Sequence, residues 1–397
     1  MKAVKTLLLV GVALMLADFA VAQTWTQTSA ASNNWSGVAS SADGSRLVAV
    51  ASRDGIYIST NAGLTWTETT APNNYLWQAV ASSADGTTLA AASVGIGTCV
   101  IYVSTNSGGD WKSASVPQKN WTSVALSADG SKIVALAGDF SFNPPTTVYT
   151  STDFGTTWTL QTNGPVTYFW TTIASSSDGI RLTTFASNII LVSTNSGVNW
   201  MQASNPVASW GAVIPPCKEI TCSTDGTRLA AIINSYIYIS TNLGFSWTKT
   251  SAPANGSWSS IASSADGSKL IASSQTYSGP IYVSSDFGLT WNSNNVSSRW
   301  YAVAMSADGN KVVAVATPGG IWTGQTTPSP KLNLTPSPTN VTLAWTVPST
   351  NFGLQQSADL TSWADVTNPP VLNLTNLQNQ VTLAPSNSSR FYRLKTP

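Results

Sequence analysis

Histidine is absent from the 397 residues. With it go the commonest general base near neutral pH, the Ser-His-Asp and Cys-His mechanisms and every His-ligated metal site. Charge is scarce too: 18 Lys+Arg against 17 Asp+Glu make up 9% of the chain and leave a net +1. Such a chain has no basic stripe for a nucleic-acid backbone and no acidic tail, so nucleic acid is not expected as a partner. Cysteine is limited to Cys99, Cys217 and Cys222; the last two are close enough in sequence to form a small-loop disulfide in an oxidising compartment. Three thiols without histidine do not make a zinc site, and neither metal nor cofactor is expected. The longest apolar run, residues 7–16, is short of the roughly 20 residues a membrane-spanning helix needs. It follows Lys2 and Lys5 and precedes Ala20-Val21-Ala22, which reads as a signal peptide (1–22) cut after Ala22. The expectation is a secreted or cell-surface monomer with no membrane span.

What the chain has in abundance is repetition. Asp-Gly recurs at Asp43, Asp85, Asp129, Asp178, Asp225, Asp266 and Asp308, at intervals of 41 to 49 residues. Within the first unit the order is 35–40, the turn Ser41-Ala-Asp-Gly, then 47–51, 56–59 and 65–69. These are four short runs of small and β-branched residues; Asp-Gly supplies the positive φ of a tight hairpin turn, and no helix-period stretch interrupts. Four antiparallel strands repeating every 40 to 45 residues or so describe a propeller blade, so the fold expected is all-β, a seven-bladed β-propeller spanning 23–325.

Between the third and fourth strands lies a second motif, Ser59-x-Asn61-x-Gly63-x-Thr65-Trp66, which recurs at 104–111, 151–158, 193–200, 240–247 and 284–291. It resembles the Asp box, or bacterial neuraminidase repeat, of sialidases, sortilin-type receptors, certain glycosidases and photosystem assembly propellers. The resemblance implies a propeller in which the boxes themselves are structural. The seventh unit lacks a box after Trp322, whereas Thr24-Trp25-Thr-Gln-Thr matches Thr65-Trp66-Thr-Glu-Thr. The missing outer strand is therefore expected from the N-terminus, removing an open seam. A Thr/Pro/Ser-rich stretch, 326–338, reads as a stiff linker, and 339–397 as a small β-sandwich-like domain. Its Leu-Gln-Gln-Ser-Ala-Asp-Leu-Thr-Ser-Trp segment and closing Arg-Phe-Tyr-Arg-Leu resemble the tail domains of exported bacterial proteins.

Blade geometry puts Asp-Gly turns and boxes on one face, and the variable loops on the other, where function is expected first. That loop face carries Tyr75, Phe140, Tyr168 and Tyr277, and a tryptophan opens each inner strand: Trp35, Trp77, Trp121, Trp170, Trp210, Trp258 and Trp300. Two readings apply. Either each Trp packs between neighbouring blades, or its indole stacks on sugar rings at an exposed mouth, giving avidity for a polysaccharide. The expected function is non-catalytic binding of carbohydrate or glycoconjugate on the loop face; the first alternative is a glycoside hydrolase or other polysaccharide-cleaving enzyme, the second a platform for a protein partner. A glycosidase needs two carboxylates across the scissile bond. Outside the repeat positions, only Asp54, Asp139 and Glu219 are placed for a common cleft, and each also reads as a loop residue paired locally, Asp54 with Arg53 and Glu219 with Lys218. The sialidase pattern is not met: no Phe/Tyr-Arg-Ile-Pro motif stands near the N-terminus. Arg46, Arg181 and Arg228 hold one repeat position after the turn, where solvated surface is expected.

Overall fold

A computed structural model describes residues 23–95, 99–138, 147–163, 170–186, 189–204, 217–254, 257–294, 296–326, 332–337, 339–346, 353–359, 361–373, 378–384 and 390–395. No described helix is long and apolar enough to cross a membrane; the described chain is all-β. It divides into two compact units, one of them Gln23–Thr326, the other including Thr327–Pro397.

In the larger unit, the described strands group into seven four-stranded antiparallel ladders. The first runs Trp35–Ser40, Leu47–Asp54, Ile56–Ser59, Thr67–Glu68, joined at one corner to the second by the pairs Ser52↔Leu76 and Asp54↔Tyr75. The seventh consists of Trp300–Met305, Lys311–Ala316, Ile321–Thr326 and, as its outer strand, Gln23–Gln27, with Trp25 opposite Gly324. The N-terminal strand thus closes the sheet, as Thr24-Trp25-Thr predicts.

The ring itself is fastened by one backbone hydrogen bond per seam. The N–H of Ala42 donates to Ala84 O, Ala84 to Ala128, Ala128 to Ser177, Ser177 to Thr224, Thr224 to Ala265, Ala265 to Ala307, and Ala307 back to Ala42, all at 2.7–2.8 Å. Every one of these residues immediately precedes an Asp-Gly turn. Because the repeat delivers the same unpaired donor and acceptor to each seam, the circle closes without a leftover backbone group.

The turns are built from their own side chains. In all seven, the serine two residues before the turn aspartate donates its hydroxyl to the carboxylate at 2.5–2.7 Å. In the six boxes the first serine accepts the glycine N–H at 2.8–2.9 Å, and the residue before that glycine sits at φ 57–60°. That residue's N–H also donates to the carbonyl after the Asp-Gly turn of its own blade, as Ala62 does to Ser45 O at 2.8 Å. Turn and box therefore occupy one face, with structural duties on both.

The expectation of solvated surface after the turns is corrected for Arg46 and Arg181, which are half-buried, whereas Arg228 is exposed. Arg181 reaches Asp225 O at 3.1 Å, Lys132 reaches Asp178 O at 2.8 Å and Lys311 reaches Asp43 O at 2.9 Å. Arg46 donates to Ser107 Oγ, and Arg228 lies 5.1 Å over the Phe287 ring. Their chains lie across the seams because the turn glycine of the next blade leaves room for the methylenes, Gly86 over Arg46 and Gly226 over Arg181.

In the smaller unit a four-stranded and a three-stranded sheet share a core of Leu332, Leu343, Trp345, Leu354, Val381, Tyr392 and Leu394. Part of the stretch expected as linker is strand: Asn333–Pro336 pairs with Val341–Thr346. Buried Leu332 pulls this segment into the core, and its proline is tolerated at the end of an edge strand.

Candidate binding site in the central channel

Each inner strand carries a β-bulge immediately after its tryptophan position. The bulge decides what faces the axis. Trp35, Trp77, Trp121, Trp258 and Trp300 turn away from it and are 0–1% exposed. Four meet a tyrosine of the third strand edge to face, at 5.1–5.9 Å and 68–79°, as Trp35 does Tyr57; Trp300 meets Trp322 at 6.2 Å. The stacking platform considered above is thus corrected for these five: an indole sealed between blades offers no face to a sugar. Trp170 begins the strand Trp170–Ser175, but its side chain, together with Asp139, Phe140, Tyr168 and Trp210, lies outside the described residues.

Trp210 is also not the ring residue of its blade. The fifth inner strand is Cys217–Cys222, and Cys217, eight residues before Asp225, holds the tryptophan position opposite Ile233. It is fully buried in a cluster with Phe185 and Ile190. Phe185 stands where other blades carry Val50, Ala92 or Ser273, so it fills volume that the smaller residue leaves. The disulfide expectation fails for the same reason. Cys217 and Cys222 are the two ends of one extended strand, roughly 16 Å apart at about 3.3 Å per residue, against a Cα separation limit of about 7 Å, and both are free thiols. Burial pushes the Cys222 thiol up to about 12 and raises that of Cys217 further; Cys217 Sγ donates to Glu219 O.

Behind the bulge, the seven inner strands enclose an axial channel of about 450 Å³. At the first channel position, Ser36, Thr122, Thr171 and Ser259 are short, and each hydroxyl donates to a carbonyl of its own second strand at 3.1–3.5 Å. The other three blades place long side chains there: Gln78, Lys218 and Tyr301. At the next position stand Gly37, Ala79, Ser123, Thr172, Ser260 and Ala302, and in the fifth blade Glu219. In three blades this side chain carries an oxygen that accepts an N–H of the neighbouring blade. Ser123 takes Ile173 N–H at 3.2 Å, Ser260 takes Val303 N–H at 3.0 Å and Glu219 takes Ile261 N–H at 2.6 Å. Burial pushes the Glu219 carboxyl up to about 7, opposed by hydrogen bonds from the Ser260 hydroxyl and Ile261 N–H. So Glu219 pairs across a blade seam and not with Lys218 as read above; a loop was expected there, and a strand is found.

Asp54 is not brought to Glu219. It is absent from the channel wall and accepts from Asn33 Nδ2 and from Tyr57 Oη instead of pairing with Arg53. Tyr75 belongs to the strand Tyr75–Ser82 and is half-buried, its ring 5.4 Å from Trp77 and 6.1 Å from Tyr102. Of the aromatic candidates described, only Tyr277 stands free, 89% exposed, with the Arg299 guanidinium 5.5 Å from its ring centroid.

This ring of antiparallel ladders is shared with solved structures. YCF48 from Cyanidioschyzon merolae superposes at a TM-score of 0.57 with 13% identity, over 76% of this chain and 98% of that one. YCF48 bound to D1 peptide gives 0.58 and 14%, over 80% and 100%. A GH74 xyloglucanase from Xanthomonas campestris gives 0.59 and 17%, over 82% of this chain but 60% of its own length. The chain is a β-propeller. No protein-family model matches it, and no curated protein does; at these identities the likeness speaks for the fold alone. Lys218, Gln78 and Tyr301 escape a reading that follows tryptophans, whereas counting seven residues back from every turn aspartate brings all three onto the channel wall.

Proposed function

We propose that this chain is an exported, non-catalytic binding protein whose propeller serves as a rigid platform for a polypeptide partner at the loop face. The observation that carries this reading is the fate of the carboxylates: among the described residues, Glu219 is the one carboxylate on the channel wall and it is bonded into a blade seam. A paired general acid and base across a cleft is not assembled from Asp54 and Glu219. Burial of the ring tryptophans takes away the repeated sugar platform, which moves preference from carbohydrate to protein. What the loop face offers instead is a Tyr–Arg pair, exposed Tyr277 with half-buried Arg299, the residue types that dominate protein interfaces. A structure of the same fold is described as bound to a peptide, which supports the reading by analogy. Export rests on the basic, apolar and Ala-Val-Ala order of residues 1–22.

The test is a comparative capture from the native extracellular fraction, with the mature chain and its Tyr277→Ala/Arg299→Ala variant as bait, alongside a glycan array. A protein retained by the first and weakened at least about tenfold with the second is expected, a loss of the size typical for interface anchors. Glycan binding that survives the double substitution, or hydrolysis of a polysaccharide by the purified chain, would overturn the reading.

A further inference from the structure

The channel holds more than the platform reading uses. Four of its seven first positions carry hydroxyls satisfied within the propeller, three by their own blades and Ser36 most closely by Trp77 O of the next, so the wall is largely neutral and self-contained. Against that background, blade five alone places two charged side chains in succession, exposed Lys218 and half-buried Glu219. Neither is required by the repeat: at the Glu219 position serine suffices to cap the neighbouring N–H, as Ser123 and Ser260 show. A carboxylate brings a second oxygen and a charge to a place where burial penalises it, and a buried carboxyl is favoured only when a cation or several donors meet it. Ile261 N–H and the Ser260 hydroxyl supply two neutral donors. Gln78 and Tyr301 reach the same space from blades two and seven. The cavity, about 450 Å³, lies within the range of small-molecule sites.

We infer that the central channel is a binding site for a small molecule carrying both an ammonium and a carboxylate, such as a free amino acid or dipeptide. Glu219 takes the ammonium, Lys218 takes the carboxylate, and Gln78 and Tyr301 hydrogen-bond the remainder. An ammonium beside Glu219 supplies the charge-assisted donor that two neutral ones do not, and the two opposite charges suit a zwitterion better than a neutral sugar or a simple cation. Binding is coupled to ionisation of Glu219. The other titratable groups on the wall are Lys218, Cys217 and Tyr301, while Ser260 and Ile261, packed on Glu219 from blade six, are neutral. With the carboxyl at about 7, affinity for the ammonium falls about tenfold between pH 8 and pH 6, the ratio of ionised fractions.

Calorimetric titration of the full chain with dialanine tests this, against N-acetyl-dialanine, dialanine amide and cellotriose as probes. Saturable binding of dialanine is expected, at least about tenfold weaker with either end blocked and undetectable for cellotriose. Glu219→Gln, which keeps an acceptor for Ile261 N–H, should weaken dialanine about tenfold yet leave N-acetyl-dialanine unchanged. Lys218→Gln, at an exposed position, should do the reverse with the amide; these losses correspond to one charged hydrogen bond. Melting curves establish that each variant is folded. No binding at millimolar dialanine, equal binding of blocked and free forms, or indifference to both substitutions overturns the site. Tyr277→Ala should leave dialanine binding intact, so failure here and failure of the loop-face platform are separate results.

Discussion

At a single position, Cys217 shows how a repeat tolerates an exception. The other blades with described side chains there bury a tryptophan edge-on to an aromatic ring, each indole excluding water from a seam. In blade five the thiol is far smaller, and Phe185 of the preceding blade supplies the missing volume within the same apolar cluster. Restoring the repeat residue by Cys217→Trp is therefore expected to overpack the seam and cost about 1–3 kcal/mol, measured by urea denaturation. Phe185→Ala alone opens a cavity costing about 3–5 kcal/mol. The pair should be markedly less damaging than the sum, because each change relieves the other; strict additivity would show that the two side chains do not share the space.

Elements matter through how the chain ends are used. The seventh ladder needs Gln23–Gln27 to cover the edge of Ile321–Thr326, and that outer strand buries Gly324 beneath Trp25, whose ring lies 2.9 Å from a Cβ built on that glycine. Removing residues 24–28 exposes a row of backbone donors and acceptors on a flat edge. The deletion should lower the melting temperature of the propeller by several degrees, as about 2–4 °C per kcal/mol is expected for a domain of this size, and should promote association, read by light scattering. An unchanged melting curve would mean that the ring is closed by the inner backbone bonds alone. The inner strands show a second use of an element: one bulge, repeated, sends the first side chain into the seam and the next two toward the axis. Only this displacement separates the buried tryptophans from the channel wall.

For the molecule as a whole, pH should act in opposite directions on its two kinds of carboxyl. All seven turn aspartates are held below their usual value of 3.8. The serine hydroxyl is the largest cause in six, while in Asp308 burial opposes the hydrogen bonds that lower it. A depressed folded-state value stabilises above the unfolded value and is lost as pH falls through the folded one, so ring stability should decline below about pH 4. Glu219 is raised from 4.5 to about 7, which favours the folded state when protonated and withdraws that advantage as pH climbs across this interval. Thermal melts from pH 2.5 to 8 should show a steep acid limb and a shallow neutral one. Glu219→Gln should flatten the neutral limb and leave the acid limb in place; a variant with an unchanged neutral limb would remove Glu219 from this account.

The sequence by itself determined the architecture, because a propeller is specified locally. Each blade repeats its own turn serine and turn aspartate, and six of the seven a box serine, and these satisfy their own backbone within a few residues, so the period of Asp43 to Asp308 and the stray Thr24-Trp25-Thr sufficed to expect a ring closed by the N-terminus. What only the tertiary structure decided was direction and partnership. A bulge of one residue inverts which side chains face solvent, and nothing in Trp35-Ser-Gly-Val announces that the indole goes into the seam. The same displacement turned Cys217-Lys-Glu219 from an irregular loop into a strand, separated two cysteines that sequence distance had brought together, and set one carboxylate beside the N–H of a residue 42 positions away. Contacts between blades join residues whose spacing carries no pattern, and that is why the candidate site stayed hidden while the fold did not.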